Sequence, residues 1–191
     1  MANQVTLVGK IISGFSYSHT VYGEAFYTAS IEVMRDSGKY DIIPLLISEK
    51  ITKENVIDKR VYINGEYRSY NDHSTDKSRL KLFVFVNTIE LVDADSDIND
   101  VFLEGYICKP PIYRLTPLGR QITDVLLAVN RSYNKSDYIP CVIWGRNALY
   151  AKDMTVGQRV RVAGRIQSRE YVKNDEIKTA YELSVNLVEL S

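Results

Sequence analysis

Short apolar runs alternate with polar residues along most of the chain, and this period of two is typical of half-buried β-strands. Turn formers such as Pro110-Pro111, Pro117-Leu-Gly119 and Asn174-Asp175 separate the runs. The pattern therefore predicts an all-β protein built from short strands. In the second half of the chain the predicted strands are Val101–Ile107, Ile122–Asn130, Ile139–Trp144, Val160–Gln167 and Tyr181–Leu190.

The chain contains an internal repeat. Val5-Thr-Leu-Val-Gly-Lys-Ile11 matches Val101-Phe-Leu-Glu-Gly-Tyr-Ile107 at an offset of 96, and three inserted residues later raise the offset to 99. The acidic, turn-prone stretch Asp93–Asp100 lies between the copies. We therefore predict two copies of one domain, residues 1–96 and residues 97–191.

One helix interrupts the strands of each predicted domain. Arg146–Asp153 has helix formers and no β-branched residue, so it predicts a short helix between the third and fourth strands, with a counterpart near Glu49–Val56 in the first copy. Five strands with a helix at this place are the element order of the OB-fold, a Greek-key barrel. The sequence predicts two tandem OB-fold barrels.

Alternation in the second copy places a polar and aromatic set on the outer face of the predicted barrel. Ile139, Cys141 and Ile143 share the inner face of the third strand, so Tyr138, Val142 and Trp144 share the outer face. The outer parity of the fourth strand carries four arginines and an aromatic residue, with no acid in the same line: Arg159, Arg161, Arg165, Arg169 and Tyr171. Exposed aromatic rings beside guanidinium groups favour stacked bases and phosphates as the ligand over an ordinary solvated face.

Composition and residue spacing limit the classes of function that the sequence can support. Lys+Arg and Asp+Glu number 24 each, so any contact with nucleic acid depends on a local patch. His19 and His73 lie in loop-like polar stretches, and neither these nor the two cysteines have the spacing of a catalytic or metal site. We expect a protein that is not an enzyme, with no cofactor and no metal. No secretory signal and no apolar run of membrane-spanning length is visible, so we expect a cytoplasmic protein.

Three segments of the second copy resemble the bacterial single-stranded DNA-binding protein family. They are Leu127–Arg131, Asp137–Gly145 and Val156–Arg169, and they occur in the order and spacing of that family. The first copy matches mainly through the internal repeat. The resemblance implies an OB-fold that wraps single-stranded DNA around assemblies of four OB domains, so a chain with two domains implies a homodimer.

The resemblance also implies where bases stack. The four aromatic positions of the family correspond to Tyr133, Tyr138, Trp144 and Tyr171. Nearby cations are expected to contact phosphates: Arg131, Lys135, Arg146, Arg161, Arg165, Arg169 and Lys173. The first copy offers a weaker set, comprising Tyr40, Arg68 and Tyr70.

The expected role is therefore to coat single-stranded DNA during replication, repair or recombination, with little sequence preference. An alternative is a non-catalytic assembly module of the primosomal replication protein N type, which binds protein or RNA. Family members usually carry an acidic C-terminal tip that recruits replication enzymes, whereas this sequence ends at Ser191 directly after the last predicted strand, which puts recruitment in doubt.

Overall fold

A computed structural model describes residues 2–51, 55–76 and 79–191. The chain divides into two compact units. The N-terminal unit comprises Gln4–Tyr67 and Phe83–Asp100, and the C-terminal unit comprises Met1–Asn3, Arg68–Leu82 and Val101–Ser191. Residues 68–82 of the first repeat thus group with the second repeat. The predicted domain limits, 1–96 and 97–191, stay a prediction.

The described chain is almost entirely β-structure, which confirms the predicted class. The strands of the first repeat are β1 Asn3–Ile11, β2 Ser16–Val21, β3 Glu24–Met34, β4 Tyr40–Ser48, β5 Arg60–Asp72 and β6 Arg79–Leu91. Those of the second are β7 Ile98–Ile107, β8 Ile112–Leu115, β9 Gln121–Arg131, β10 Lys135–Trp144, β11 Arg159–Lys173 and β12 Glu176–Leu190. Strands β2 and β8 are additions to the predicted five per copy. Their residues are exposed throughout, so no buried parity marks them in the sequence.

The two repeats use the same strand pairings in the same register. β1 pairs with β5 along one part and with β3 along another, and β7 pairs likewise with β11 and β9. The pair Lys10–Glu32 of the first repeat recurs as Tyr106–Ala128, at the offset of 96. The parallel pairing of β4 with β6 recurs between β10 and β12. The repeat that the sequence shows is therefore a repeat of structure.

Glycines occur where these strands approach most closely. A Cβ atom at Gly164 would lie 2.0 Å from the Ser184 carbonyl oxygen, and one at Gly65 would lie 2.3 Å from that of Phe85. Gly9 and Gly105 form a second equivalent pair, with the backbone of the facing strand at 2.3 and 2.6 Å. No side chain fits at these distances, so the close approach of the strands requires glycine at the same places in both repeats.

The core follows the predicted parity. Ile139, Cys141 and Ile143 of β10 are buried, as are Val160 and Val162 of β11. Val142 was expected on the outer face and is also buried, which corrects that expectation. Its strand lies between β9 and β12 at this point, so neighbours flank Val142 on both sides.

The helix prediction is confirmed only in the second repeat. Helix α1 spans Arg146–Ala151 and buries Ala148 and Ala151. In the first repeat, residues 49–51 of the predicted helix Glu49–Val56 form a turn, residues 55 and 56 are irregular, and residues 52–54 lie outside the described residues. The described part of that segment is therefore not helical. Asn55 instead accepts a hydrogen bond from the Ile57 amide through its own side chain, an alternative to a helical turn.

Substituting Gly164 tests the close approach of β11 to β12. Gly164→Ala is expected to lower the free energy of unfolding by about 3 kcal/mol, because the added methyl group overlaps the Ser184 carbonyl and one strand must move. Urea denaturation followed by circular dichroism measures the change. Gly14→Ala is the matched control, since a Cβ atom there meets nothing within 4 Å. Equal stability of the two variants would contradict the argument.

Candidate nucleic-acid interface

The outer face of the C-terminal unit is a surface of four neighbouring strands. Val142 of β10 lies opposite Asp124 of β9 and Ser184 of β12, and Ser184 lies opposite Arg165 of β11. A register shift in the β11–β12 pair leaves Asn186 of β12 without an opposite residue, so the alternation of β11 continues unbroken. The predicted line from Arg159 to Tyr171 therefore stays on one side of the strand.

Two of the predicted stacking residues lie on hairpins. Tyr133 is 95% exposed and occupies the turn between β9 and β10, where it and Asn134 both have positive φ. Tyr171 is partly exposed near the end of β11, opposite Lys178 of β12. The turn after β11 uses Asn174 and Asp175, both at positive φ, as a two-residue hairpin requires. Both tyrosines are placed where a flexible strand can reach a ring face.

Tyr138 and Trp144 lie on β10 with the outward parity that the sequence predicts. Tyr138 is 41% exposed. Trp144 is half-buried, and its Nε1 donates a hydrogen bond to Ser184 Oγ at 3.1 Å. The expectation of a freely exposed tryptophan is corrected, because β12 anchors the edge of the ring. A shallow pocket beside the ring is lined by Gly119, Arg120, Gln121 and Gly145.

Acidic residues of neighbouring strands pair with the arginines of β11, whose own outer line contains no acid. Glu104 of β7 pairs with both Arg159 and Arg161, and Glu182 of β12 lies 3.3 Å from Arg169. Both carboxylates come from neighbouring strands, so the parity of β11 does not reveal them. Glu182 also accepts a hydrogen bond from Gln167 at 3.0 Å, and only 8% of its surface is exposed.

Glu104 stays charged at neutral pH. Burial acts to raise its pKa, but a hydrogen bond from the Ser191 hydroxyl and the charges of Arg159 and Arg161 together hold the pKa below its ordinary value. Arg161 therefore has an ionised partner under ordinary conditions.

Arg131 forms a structural ion pair. Its Nε lies 3.2 Å from Asp137 Oδ2, and Asp137 is fully buried. The equivalent residues of the first repeat, Arg35 and Asp41, form the same pair with two hydrogen bonds of 2.6 and 2.7 Å. The sequence carried a signal for this pair, because Asp137 is in phase with the core residues of β10 and both members recur at the offset of 96.

The remaining predicted cations differ in their surroundings. Among the described residues, the exposed side chains of Lys135, Arg146 and Lys173 form no ion pair. Arg165 is half-buried, and its guanidinium lies 3.4 Å from Gln167 Oε1. Arg131, Arg161 and Arg169, by contrast, each lie against a carboxylate.

The weaker first-repeat set is divided between the two units. Tyr40 is exposed on β4 of the N-terminal unit, whereas Arg68 and Tyr70 belong to the C-terminal unit. Ser69 lies between the latter two and bonds to the backbone of β10, so these candidates join the residues of the second repeat.

Sequence reasoning missed an aromatic row on the N-terminal unit. His19 lies in β2 rather than in a loop and stacks on Phe26 at 5.1 Å between ring centroids, and Phe26 lies 6.0 Å from Phe85. Phe85 lies on β6, which is distant in sequence from the strands of His19 and Phe26. Only the pairing of β2 with β3 places His19 beside Phe26.

The cysteines have the character of core residues. Burial, with the nearby charge of Glu182, raises the pKa of the Cys141 thiol, and burial also raises that of Cys108. No group of three or more potential metal ligands occurs within residues 2–51, 55–76 and 79–191. In the same ranges, no helix has the length and hydropathy that a membrane crossing needs.

The fold is that of a bacterial single-stranded DNA binding protein. The wild-type protein from Thermus aquaticus superimposes with a TM-score of 0.81 at 17% sequence identity, over 100% of this chain and 93% of the other. A model of the single-strand binding protein family matches residues 98–191.

Sequence comparison gives the family. Single-stranded DNA-binding protein B of Bacillus subtilis is 37% identical over 97 residues, which cover 46% of this chain and 82% of that protein. The chain belongs to the single-strand binding protein family. It spans only 59% of the single-stranded DNA-binding protein of Clostridium tetani, to which it is 38% identical over 85 residues.

Removing the Asp137 carboxylate tests the buried ion pair. Asp137→Ala is expected to lower the free energy of unfolding by about 3 to 5 kcal/mol, because Arg131 and the Ser69 amide both lose their partner. Thermal and urea unfolding measure the loss.

Asp124→Ala is the matched control for Asp137→Ala. It breaks the Arg114–Asp124 pair, which lies on the exposed edge of the same sheet, and is expected to cost less than about 1 kcal/mol. Similar losses in the two variants would show that burial does not determine the strength of these pairs.

Proposed function

We propose that this protein binds single-stranded DNA without catalysis and with little sequence preference, through the outer face of the C-terminal unit and its two hairpins. One observation carries the proposal: all four aromatic positions expected to stack on bases belong to a single unit, where Tyr133, Tyr138 and Tyr171 are exposed and Trp144 is half-buried. The names of the relatives, all of them single-stranded DNA-binding proteins, support DNA over the alternative of an assembly module that binds protein or RNA.

Stacking explains the expected lack of sequence preference. Every base has a π-face, so a base that stacks on Tyr133, Tyr138 or Tyr171 contributes about 1 to 3 kcal/mol whatever its identity. Trp144 offers a ring that the Ser184 bond already holds in place. A fixed ring loses little side-chain entropy when a base covers it.

The electrostatic part of the affinity is smaller than a count of cations indicates. Arg131, Arg161 and Arg169 face buried carboxylates, so Lys135, Arg146 and Lys173 are the main phosphate contacts. Three contacts at about 0.7 each predict that log affinity falls with log salt at a slope near −2.

The single tryptophan reports the proposed binding directly. Oligo-dT is expected to quench Trp144 fluorescence strongly, with the affinity falling at the slope given above, whereas a duplex of equal length leaves the fluorescence unchanged. Tyr138→Ala is expected to weaken binding about tenfold because one stacked base is lost. A titration at two salt concentrations measures both effects, with oligo-rU as the comparison for RNA.

Tyr150→Ala is the control for the loss of an aromatic ring. Tyr150 is 47% exposed on helix α1, outside the proposed surface, so its removal is expected to leave binding unchanged. Absence of quenching and of a gel shift with every oligonucleotide would overturn the proposed function and favour a protein partner.

Glu182 limits the affinity of the same surface. Its carboxylate holds Arg169 and Gln167, and any phosphate that binds Arg169 must displace or approach a buried negative charge. Glu182→Gln removes this charge, so we expect tighter binding by a few fold and a salt slope steeper by about 0.7. The fluorescence titration measures both quantities.

Asp153→Asn is the matched control for Glu182→Gln. It makes the same change in net charge on the segment that follows α1, away from the outer face, and is expected to leave the slope unchanged. An equal increase in affinity for the two variants would mean that only net charge matters and that Glu182 has no local role.

The finer architecture belongs to the same proposal. In the first repeat β1 pairs with both β3 and β5, and in the second repeat β7 pairs with both β9 and β11. A strand shared in this way supports two OB-fold barrels. We further propose a homodimer that brings four such domains together, and a cytoplasmic role in replication, repair or recombination. The two domains of each chain support the dimer.

A further inference from the structure

The shallow pocket beside the Trp144 ring has walls that the proposed function does not use. Gly119, Arg120 and Gln121, at the turn between β8 and β9 and the start of β9, line it together with Trp144 and Gly145. Both glycines have positive φ, and a Cβ atom at either one would meet nothing within 4 Å. The pocket is therefore open enough for a flat ring to approach the backbone.

The Trp144 ring is held on the side away from the pocket. Its Nε1 donates a hydrogen bond to Ser184 of β12, and β10 lies between β12 and β9. Trp144 lies opposite the buried Ile122 of β9, so the two side chains project from the same face of the sheet. The indole is thus fixed toward β12, whereas the pocket lies toward the turn that precedes β9.

The backbone of the opposite wall is also fixed. The Arg120 amide donates a hydrogen bond to Thr116 Oγ1 at 3.0 Å, and the Thr116 amide donates one to the Arg120 carbonyl at 2.8 Å. The Gly145 amide donates to the Gln121 carbonyl at 3.0 Å, which ties the end of β10 to the start of β9. Because both walls are set before a ligand enters, binding has little order to gain.

The Arg120 guanidinium has no partner in the part of the chain that the structure describes. The side chain is exposed and forms neither an ion pair nor a hydrogen bond with any described residue. Arg114 on the same hairpin differs, because Asp124 holds it at 2.6 Å. The planar fork of Arg120 therefore keeps its N–H donors available for a ligand beside Trp144.

Guanine is the base that matches such a fork. Its O6 and N7 are neighbouring acceptors, whereas adenine presents an acceptor beside a donor and the pyrimidines present no such pair. A base that stacks on Trp144 directs its edge out of the stack, and Arg120 lies at the side of the ring where that edge can be contacted. A phosphate would also suit Arg120, but every nucleotide carries one, so it would give no preference between bases.

We propose that the pocket beside Trp144 is a base site that prefers guanine, in which the base stacks on Trp144 and Arg120 contacts its O6 and N7. The inference rests on the proposed function, because it requires that a base stacks on Trp144. It adds a preference at one position of a surface that otherwise accepts any base.

Short oligonucleotides that differ in one base test the inference. The full chain is given oligo-dT of about six nucleotides, or the same oligonucleotide with a single guanine, adenine or 7-deazaguanine. Competition against a labelled oligo-dT measures each affinity, so that differences in quenching between bases do not enter. The guanine oligonucleotide is expected to bind about tenfold more tightly than oligo-dT, and adenine and 7-deazaguanine, which lacks the N7 acceptor, lose most of that preference.

Substitutions at Arg120 test its role in the preference. Arg120→Ala is expected to abolish the preference for guanine and still to bind oligo-dT. Arg120→Lys keeps the charge but not the fork, so it is expected to lose the preference as well. Arg114→Ala is the matched control, because it removes an arginine of the same hairpin that Asp124 already holds, and its preference for guanine is expected to be unchanged.

The outcomes separate the inference from the proposed function. Equal affinity of the unaltered protein for the guanine oligonucleotide and for oligo-dT would overturn the inference and leave the proposed function standing. A preference that persists in Arg120→Ala, or that adenine and 7-deazaguanine share in full, would also overturn it. Failure of the unaltered protein to bind any oligonucleotide would overturn both.

Discussion

The buried carboxylate of Asp137 joins three parts of the C-terminal unit. It neutralises Arg131 across the hairpin of β9 and β10, receives the amide of Ser69, and directly precedes Tyr138 on the strand that carries two of the proposed stacking residues. A buried charge is tolerated only when it is paired and hydrogen-bonded, so these partners are fixed together. The position of Ser69 beside β10 follows from that requirement.

Buried acids also bear on how a protein of zero net charge would bind the proposed polyanionic ligand. Glu104 and Glu182 lie beneath the arginines of β11, and their charges oppose the attraction of phosphate to that strand. The lysines and Arg146 lie away from these acids, at the hairpins and at the start of α1. The attraction of phosphate that these acids do not oppose therefore comes from Lys135, Arg146 and Lys173. A protein arranged in this way can bind tightly and still release its ligand when salt increases.

The two repeats show how one framework of paired strands accepts two surfaces. The glycines at close strand approaches, the buried Arg–Asp pairs and the strand registers are the same in both. The outer positions have diverged: Ser48 is buried where the second repeat has Trp144, and the aromatic row of the first repeat, His19, Phe26 and Phe85, has no counterpart of the same kind. The close approach of the strands restricts the glycine positions to glycine, whereas the outward positions have no such restriction.

The sequence by itself determined the repeat, the β-class, the inner parity of β10 and β11 and the helix α1, because each depends on residues near one another in the chain. It also indicated the four aromatic positions, through the resemblance of three short segments to a family. Only the tertiary structure placed Glu104 and Glu182 against the arginines, anchored Trp144 on Ser184 and grouped Arg68–Leu82 with the second repeat. Those contacts depend on the register between strands that are far apart in the chain, and the hydrogen bond between Ser191 and Glu104 joins residues 87 positions apart. The alternation within one strand carries no information about its neighbours.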